Sequence, residues 1–320
     1  MKAALAAVMF AATTAHAETP LDRPEAIEVD RDLTPPGQAE LGFDGGAPIG
    51  TWALGLELGF VERPLRLHAL DIKTYPVDHR ETAVLGGALA IGDKVIVDVR
   101  FPMSHQVGAR LEGLGDSRRL DHWVPGDLSL GARLRVMERD VVSVFVRGTL
   151  TLPTGDDYDF AGDAKWSAAW MGIARVTLPA DLVVSATAGI RLRGAEVIVG
   201  DQLVGDELAW GVGATMGIPP FLPLWCKPEQ LKGAVEVLGV VGDRVAGQHS
   251  PSPIEARLGV IGRIRPPYAI AVHVGTHLDD QIGAPTFRAI VELVYQPAPA
   301  PAHPRPHAED DIPVELDDTP

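Results

Sequence analysis

The chain has 320 residues, of which 46% are hydrophobic and 6% aromatic, with 34 Gly, one Cys and a formal net charge of −15. No uninterrupted apolar run of about 18 residues follows the N-terminal stretch, which argues against membrane-spanning helices. The lone cysteine, Cys226, excludes an internal disulfide and a cysteine-based metal site. The acidic balance, without a basic patch outside the strands, argues against nucleic acid as a partner.

The first 17 residues have the features of a signal peptide. Lys2 precedes an apolar stretch over residues 3–12, and Ala15-His16-Ala17 has the small-x-small arrangement that signal peptidase accepts. The alternative is an N-terminal core helix. Residues 18–49 then form an acidic, Pro-rich segment, with eight Asp or Glu against two Arg over residues 18–44. The sequence therefore predicts an exported protein.

Twelve segments follow in which apolar residues occupy alternate positions, as in a strand with one apolar and one polar face. Each has roughly 10 to 13 residues, the length that a tilted strand needs to cross a bilayer, whereas strands of globular proteins average about 5 or 6. The predicted strands are 51–60, 80–91, 94–103, 126–137, 140–152, 166–178, 181–193, 206–218, 230–241, 254–265, 268–277 and 287–296.

The connections between these segments alternate in length. Long ones follow the odd-numbered strands (61–79, 104–125, 153–165, 194–205, 242–253 and 278–286), and short ones follow most even-numbered strands (92–93, 138–139, 179–180, 266–267, with 219–229 longer). This sorting is typical of outer-membrane barrels, whose tight turns face the periplasm. It predicts an all-β, twelve-stranded antiparallel up-and-down transmembrane barrel over residues 50–296, with both termini in the periplasm.

Aromatic residues at the strand ends agree with two interfacial girdles. Phe60, Phe101, Trp166 and Phe287 fall near the long-loop rim, and Trp52, Tyr268 and Tyr295 fall near the turn rim. The alternative is that aromatics mark strand ends in any β protein.

The segment "PADLVVSATAGIRLRG" (179–194) shows which face points inward. Its even positions are apolar, and its odd positions carry Ser, Thr, Gly and two Arg. In a membrane barrel the apolar face contacts lipid and the polar face lines the lumen. The predicted lumen residues are Arg100, Arg133, Arg135, Arg147, Arg175, Arg191, Arg193, Arg257, Arg263, Glu57, Asp98, Glu207 and Glu236, and the same parity holds Arg265, Arg288, Glu255, Glu292 and Asp127.

The ordered motifs "VDHRETA", "IGDKVIVDVRFP", "PGDLSLGARLRV", "GTLTLPTGDDYDFAG", "VGDELAWGVGA" and "GAPTFRAIVELVYQP" resemble the larger N-terminal barrel of some bacterial OmpA-family proteins. The chain is also distantly similar to transporter-like barrels associated with aromatic-degradation clusters. The resemblance covers about residues 50–297 and implies an outer-membrane barrel in contact with lipid. After Gln296 the chain departs from the OmpA-family pattern: residues 297–320 replace the peptidoglycan-binding domain, so the barrel is expected to be the functional body.

The lumen composition suggests a function. Eleven arginines on the lumen parity face seven acids, in a chain that is acidic as a whole. Such a wall attracts anions and repels cations, which predicts a narrow passive pore favouring small anionic solutes. The alternative is a closed structural barrel or surface scaffold with a salt-bridged lumen. An outer-membrane enzyme is the remote alternative, since the predicted lipid-facing parity has no Ser or His for a dyad, no hydrolase motif is present, and no cofactor is predicted.

Two further segments are assigned by composition. Asp156, Asp157, Asp159 and Asp163 lie in one long loop, where carboxylates could hold a surface calcium ion, although the regular calcium-loop spacing is absent and a solvated acidic loop is the alternative. Residues 297–320 predict an extended periplasmic tail. Its acidic end either contacts a periplasmic partner or only aids solubility.

Overall fold

The computed structural model describes residues 52–69, 72–91, 94–109, 119–155, 161–162, 165–180, 182–194, 197–199, 202–218, 231–242, 252–265, 267–279 and 285–297. These contain fifteen strands. Their bounds are β1 Trp52–Ala69, β2 Ile72–Ala90, β3 Val95–Gly108, β4 Leu120–Pro125, β5 Leu128–Arg139, β6 Val142–Leu152, β7 Ser167–Leu178, β8 Leu182–Arg193, β9 Val197–Val199, β10 Gln202–Val204, β11 Glu207–Gly217, β12 Leu231–Gly242, β13 Ile254–Arg265, β14 Tyr268–His277 and β15 Phe287–Tyr295.

The strands close into a twelve-stranded antiparallel barrel. Each long strand pairs with its neighbours in the chain, and β1 pairs with β15, from Leu54 opposite Tyr295 to Glu62 opposite Phe287. β4 and β5 both pair with β3 and together make the fourth barrel strand, interrupted at Gly126 and Asp127. Because the sheet closes on itself, its long strands have pairing partners on both sides. Backbone groups need such partners where water cannot supply hydrogen bonds.

The outer surface is apolar because the predicted parity points outward. On β1, for example, Leu54, Leu56 and Leu58 are 39–52% exposed, while Ala53, on the opposite parity, is 5% exposed. On β8, Val184 and Ile190 face outward and Ser185 and Thr187 are buried. An exposed band of Leu, Val, Ile and Trp around a closed barrel is the surface that lipid covers in transmembrane barrels. In the described part of the chain, no helix is long and apolar enough to span a membrane.

Aromatic side chains group at both ends of the barrel. At the turn end, the Tyr295 ring lies 5.6 Å from Trp52 and 5.4 Å from Tyr268. At the long-loop end, Phe60 lies 6.4 Å from Phe287. The aromatic residues therefore occupy the two levels that the sequence predicts.

The predicted loops 61–79 and 104–125 were wrong in part. β1 continues to Ala69 and β2 begins at Ile72, so the two strands form one long hairpin with register shifts beyond Glu62. β3 likewise continues to Gly108 and pairs with β4. Alternation of apolar residues weakens here, because this extension has its own buried residues, such as Val61 and Val77, both 0% exposed.

Two smaller boundaries also differ from the prediction. The turn assigned to 138–139 lies at Asp140 and Val141, since β5 runs to Arg139. The connection 194–205 contains the short hairpin of β9 and β10. The turn at 179–180 is where the sequence predicts it, with Ala180 at a φ of 62°.

Candidate functional site: the inner wall of the barrel

Polar and charged side chains concentrate on the inner face. Those below a tenth exposed are Arg80, Thr82, Ser104, Gln106, Asp127, Arg133, Arg147, Ser167, Ser185, Thr187, Glu207, Glu236, Glu255, Arg257, His273, Arg288 and Glu292. Burial of charge is costly unless opposite charges and hydrogen bonds compensate it. The contacts between these side chains therefore decide whether the interior is filled or open.

Glu255 lies between Arg257, two residues along the same strand β13, and Arg288 on β15, which is separated from β13 by β14. Its carboxylate accepts hydrogen bonds from Arg257, with Nε to Oε1 at 2.6 Å, and from Arg288, with Nε to Oε1 at 3.0 Å. The three side chains are 3–7% exposed. Glu236, 2% exposed, stands opposite Arg257 in the register of β12 and β13. Two acids and two arginines therefore share one buried patch in which formal charge is balanced.

His273 completes this patch, which we call the Glu255 cluster (Glu236, Glu255, Arg257, His273 and Arg288). The imidazole is 1% exposed and lies over Gly259, its register partner on β13, so closely that a methyl group there would overlap the ring. Glu255 and Arg257 lie over Gly275 in the same way, 2.7 and 2.9 Å from where its Cβ would stand. The two glycines make room for neighbouring side chains, and the wall here is tightly packed.

A second ion-paired group lies at the long-loop ends of β8 and β11. Glu207 Oε1 is 3.4 Å from Arg191 Nη1 and 3.7 Å from Arg193 Nη2, and the three side chains are 2–18% exposed. Glu207 and Arg191 are direct register partners. Cross-strand pairing thus positions this acid beside its arginines.

Another part of the wall encloses a cavity of about 130 Å³ between β1, β2, β3, β5, β6 and β15. We call it the inner cavity. At roughly 10–15 Å³ per water centre it has room for about ten waters. Its charged lining residues are Glu57, Asp98, Arg100, Arg133, Arg147 and Glu292.

Two of the arginines that line the inner cavity are held by identified contacts. Arg147 Nη2 donates to Asp98 Oδ1 at 2.9 Å, and Arg147 Nε donates to Thr149 at 3.3 Å. The guanidinium carbon of Arg133 lies 5.4 Å from the centre of the Phe145 ring, within cation–π range. These contacts hold the guanidinium groups of Arg147 and Arg133 in place at the cavity wall.

The lumen residues predicted from the sequence divide into three groups. Arg100, Arg133, Arg147, Glu57 and Asp98 line the inner cavity; Arg191, Arg193, Glu207, Glu236 and Arg257 lie in the ion-paired groups. Arg135 pairs with Glu138 at 2.6 Å near the turn end, and Arg175 is half-buried on β7. Arg263 and Arg265 belong to β13, but their side chains are outside the described residues, as are Asp156, Asp157, Asp159 and Asp163.

The sequence assigns Asp127 to the lumen, but in the structure its side chain makes a contact between two connections. The carboxylate is 1% exposed and accepts a hydrogen bond from the backbone N–H of Gly155 at 2.8 Å. Thr154 accepts from the N–H of Leu128 at 2.8 Å in the same region. Asp127 therefore holds the ends of two connections together, in the motifs "PGDLSL" and "LTLPTG".

Sequence reasoning also missed Arg80 and Gln106, whose side chains form a buried hydrogen bond of 3.1 Å. Their strands were predicted to start at 80 and to end at 103, so neither was read as part of a polar face. The alternation of Arg80 and Thr82 with outward residues was the available signal.

With these changes the inner parity of the described residues carries ten arginines and six acids. They are Arg80, Arg100, Arg133, Arg135, Arg147, Arg175, Arg191, Arg193, Arg257 and Arg288, with Glu57, Asp98, Glu207, Glu236, Glu255 and Glu292. Among the described residues, no group of three or more His, Cys, Asp or Glu side chains is placed to hold a metal ion.

Solved structures similar to this one are outer-membrane channels and porins. The COG4313 outer membrane channel from Pseudomonas putida F1 aligns with a TM-score of 0.56 at 14% identity, covering 79% of this chain and 98% of that one. The NanC porin aligns with a TM-score of 0.49 at 8% identity, covering 77% and 100%. At such identities the likeness to the channel shows a shared barrel fold.

No family model matches the chain, and no curated protein matches it. The resemblance to OmpA-family barrels accordingly stays a prediction.

Proposed function

We propose that the chain forms a narrow passive pore in a bacterial outer membrane, and that its arginine-rich lumen favours small anionic solutes. The observation that carries the proposal is the inner wall, where ten described arginines face six acids and part of the wall encloses a cavity. Twelve strands give a barrel between the eight-stranded size that side chains fill and the sixteen-stranded size with a wide channel. An excess of positive charge in a confined lumen concentrates anions.

Location follows from the outer surface. The exposed apolar band needs a hydrocarbon environment, and closed barrels that cross membranes with strands occur in outer membranes. The prediction of a signal peptide over residues 1–17 supports export. Periplasmic termini and an extended tail over 297–320 belong to the same proposal, and protease protection of tagged termini in intact cells tests them.

Planar-bilayer recording in a salt gradient tests the pore. We expect discrete conductance steps and a reversal potential whose sign shows that anions permeate more readily than cations. Arg193→Ala should reduce that preference, because it removes one charge from the long-loop end of the lumen. Absence of channels, or cation preference that persists in Arg193→Ala, would contradict the proposal.

The second candidate, a closed structural barrel, is favoured by the ion pairs of the inner wall. Glu255 with Arg257 and Arg288, and Asp98 with Arg147, are contacts of 2.6–3.0 Å between side chains at most 18% exposed. Glu255 with Arg288 and Asp98 with Arg147 each join two strands that are separated by one other strand. Such pairs fill space and hold the wall together. This candidate predicts no conductance in folded protein and a loss of stability when one partner is removed.

A further inference from the structure

We propose that the inner cavity is a subsite for small zwitterionic solutes, which carry an acidic group and an ammonium group a few atoms apart. This rests on the proposed pore and adds the class of solute that the lumen selects. A net positive lumen attracts anions in general, whereas the cavity presents charges of both signs at separate places.

The negative side of the cavity is formed by β1 and β15. Glu57 and Glu292 are direct register partners on these strands and both line the cavity. Like charges directly opposite each other on an antiparallel pair are unfavourable for the sheet. The pair places two formal negative charges next to each other in the cavity wall.

The positive side is formed by β3, β5 and β6. Three arginines, Arg100, Arg133 and Arg147, and one acid, Asp98, line this side, and Arg147 donates to Asp98 at 2.9 Å. Arg133 and Arg147 are direct register partners, so positive charge is concentrated here as negative charge is on β1 and β15. Two positive charges thus stand across the cavity from two negative ones.

The floor between the two sides has no large side chain. Gly55 on β1 and Gly86 on β2 are register partners that line the cavity. The nearest atoms to a Cβ built on them are 4.0 and 3.6 Å away, so a methyl group would fit at either position in ordinary van der Waals contact, with Cγ of Arg100 3.8 Å from the Gly86 position. β1 and β5 are three strand spacings apart around the wall, about 14 Å between backbones. Glu57 on β1 and Arg133 on β5 line the cavity from the two ends of this distance.

The charge arrangement discriminates between solutes by the group at their far end. A zwitterion placed across the floor has its acidic group beside Arg100 and Arg133 and its ammonium group beside Glu57 and Glu292. Contacts that these side chains make within the protein are then replaced by contacts with solute groups that carry the same charge as the groups they displace. A simple anion of equal size places its apolar end beside the two carboxylates. Their negative charge is then not compensated by a positive charge on the solute.

Uptake of two isosteric probes into liposomes containing the full chain tests this inference. Taurine carries a sulfonate and an ammonium group, and propane-1-sulfonate has a methyl group in place of the ammonium. Both sulfonates stay ionised, so neither crosses the lipid as a neutral acid. The variants are Glu57→Gln with Glu292→Gln, and Glu62→Gln as the control, since Glu62 lies on the same strand with its side chain 41% exposed.

We expect the double variant to lower the ratio of taurine to propane-1-sulfonate uptake by about two- to fivefold, the range of a partly solvated charge contact. The Glu62→Gln control should leave the ratio unchanged. Heat-modifiable migration on gels checks folding, and Glu57→Gln alone serves if the double variant does not fold. If both probes enter but the ratio is the same in all variants, the zwitterion subsite is wrong and the pore stands. If neither probe enters faster than in protein-free liposomes, the pore proposal is wrong and the subsite with it.

Discussion

The Glu255 cluster and the inner cavity lie on the same inner wall and contain the same kinds of residue, yet one is filled and the other is open. In the Glu255 cluster the inward glycines are covered, Gly259 by His273 and Gly275 by Glu255 and Arg257. In the inner cavity a Cβ on Gly55 or Gly86 would overlap no atom, since the nearest atoms would be 4.0 and 3.6 Å away.

This difference shows that charge alone does not decide whether a sector of the barrel interior is filled or encloses a cavity. Two arginines with an acid between them join strands in the Glu255 cluster, whereas three arginines line a polar cavity wall whose floor contains glycine. A pore and a structural network can therefore coexist on different sectors of one barrel. In the proposed function, the Glu255 cluster supplies stability and the inner cavity supplies the path or binding space.

The largest expected effect is the loss of the carboxylate at the centre of the Glu255 cluster. Glu255→Gln leaves Arg257 and Arg288 buried without the charge between them. We expect the free energy of unfolding to fall by about 3–5 kcal/mol, the usual cost of breaking a buried ion pair by removing one partner. Urea unfolding in lipid vesicles, followed by tryptophan fluorescence, measures it.

Glu62→Gln is the control for this measurement, because Glu62 is half-exposed and its contact with Arg63 is 3.9 Å long. Its expected effect is below about 0.5 kcal/mol. Equal stability of Glu255→Gln and Glu62→Gln would show that the Glu255 cluster does not hold the strands together.

A matched pair of glycine substitutions compares the two sectors with one added methyl group each. Gly259→Ala forces the ring of His273 to move within packed surroundings, and we expect a cost of about 1–3 kcal/mol. Gly55→Ala adds a methyl group in free space, so its effect should be within about 0.5 kcal/mol. The same unfolding experiment measures both, and equal costs would remove the distinction between filled and open sectors.

The sequence predicts the barrel well because one physical rule repeats along it. Val184 and Ile190 lie on the parity of β8 that faces outward, and residues that face lipid must be apolar. This constraint gives the sequence a hydrophobic period of two residues. Turn positions follow less closely, since β5 runs two residues past its predicted end. The extension of β1 and β2 was missed because its burial is local and the rule of alternation no longer applies.

The candidate site is predictable only in part. Parity assigns Arg133 and Arg257 alike to the inner face, but it contains no information on which arginine has an acid beside it. That depends on the register between strands, which places Glu236 opposite Arg257 and Arg147 opposite Arg133. Asp127 shows the converse, since a residue of the right parity at a strand end became a loop contact.

Narrowing the cavity tests whether ions pass through it. Gly55→Leu places a side chain over the free floor, and we expect single-channel conductance to fall by about half while the free energy of unfolding changes by less than about 1 kcal/mol. Planar-bilayer recording gives the conductance. An unchanged conductance would place the conducting path elsewhere in the lumen.

The smallest expected effect separates the two sectors by ion selectivity. Arg133→Gln removes a positive charge from the wall of the inner cavity, and we expect the anion-to-cation permeability ratio to fall by about twofold, since salt screens a charge near water. Arg257→Gln removes a charge that is already balanced by Glu255 and Glu236, so it should reduce stability and leave the ratio unchanged. Reversal potentials in a tenfold KCl gradient, recorded for both variants at low and high ionic strength, give the ratio. A shift in Arg257→Gln as large as that in Arg133→Gln would mean that ions pass the Glu255 cluster, and that the filled sector is not closed.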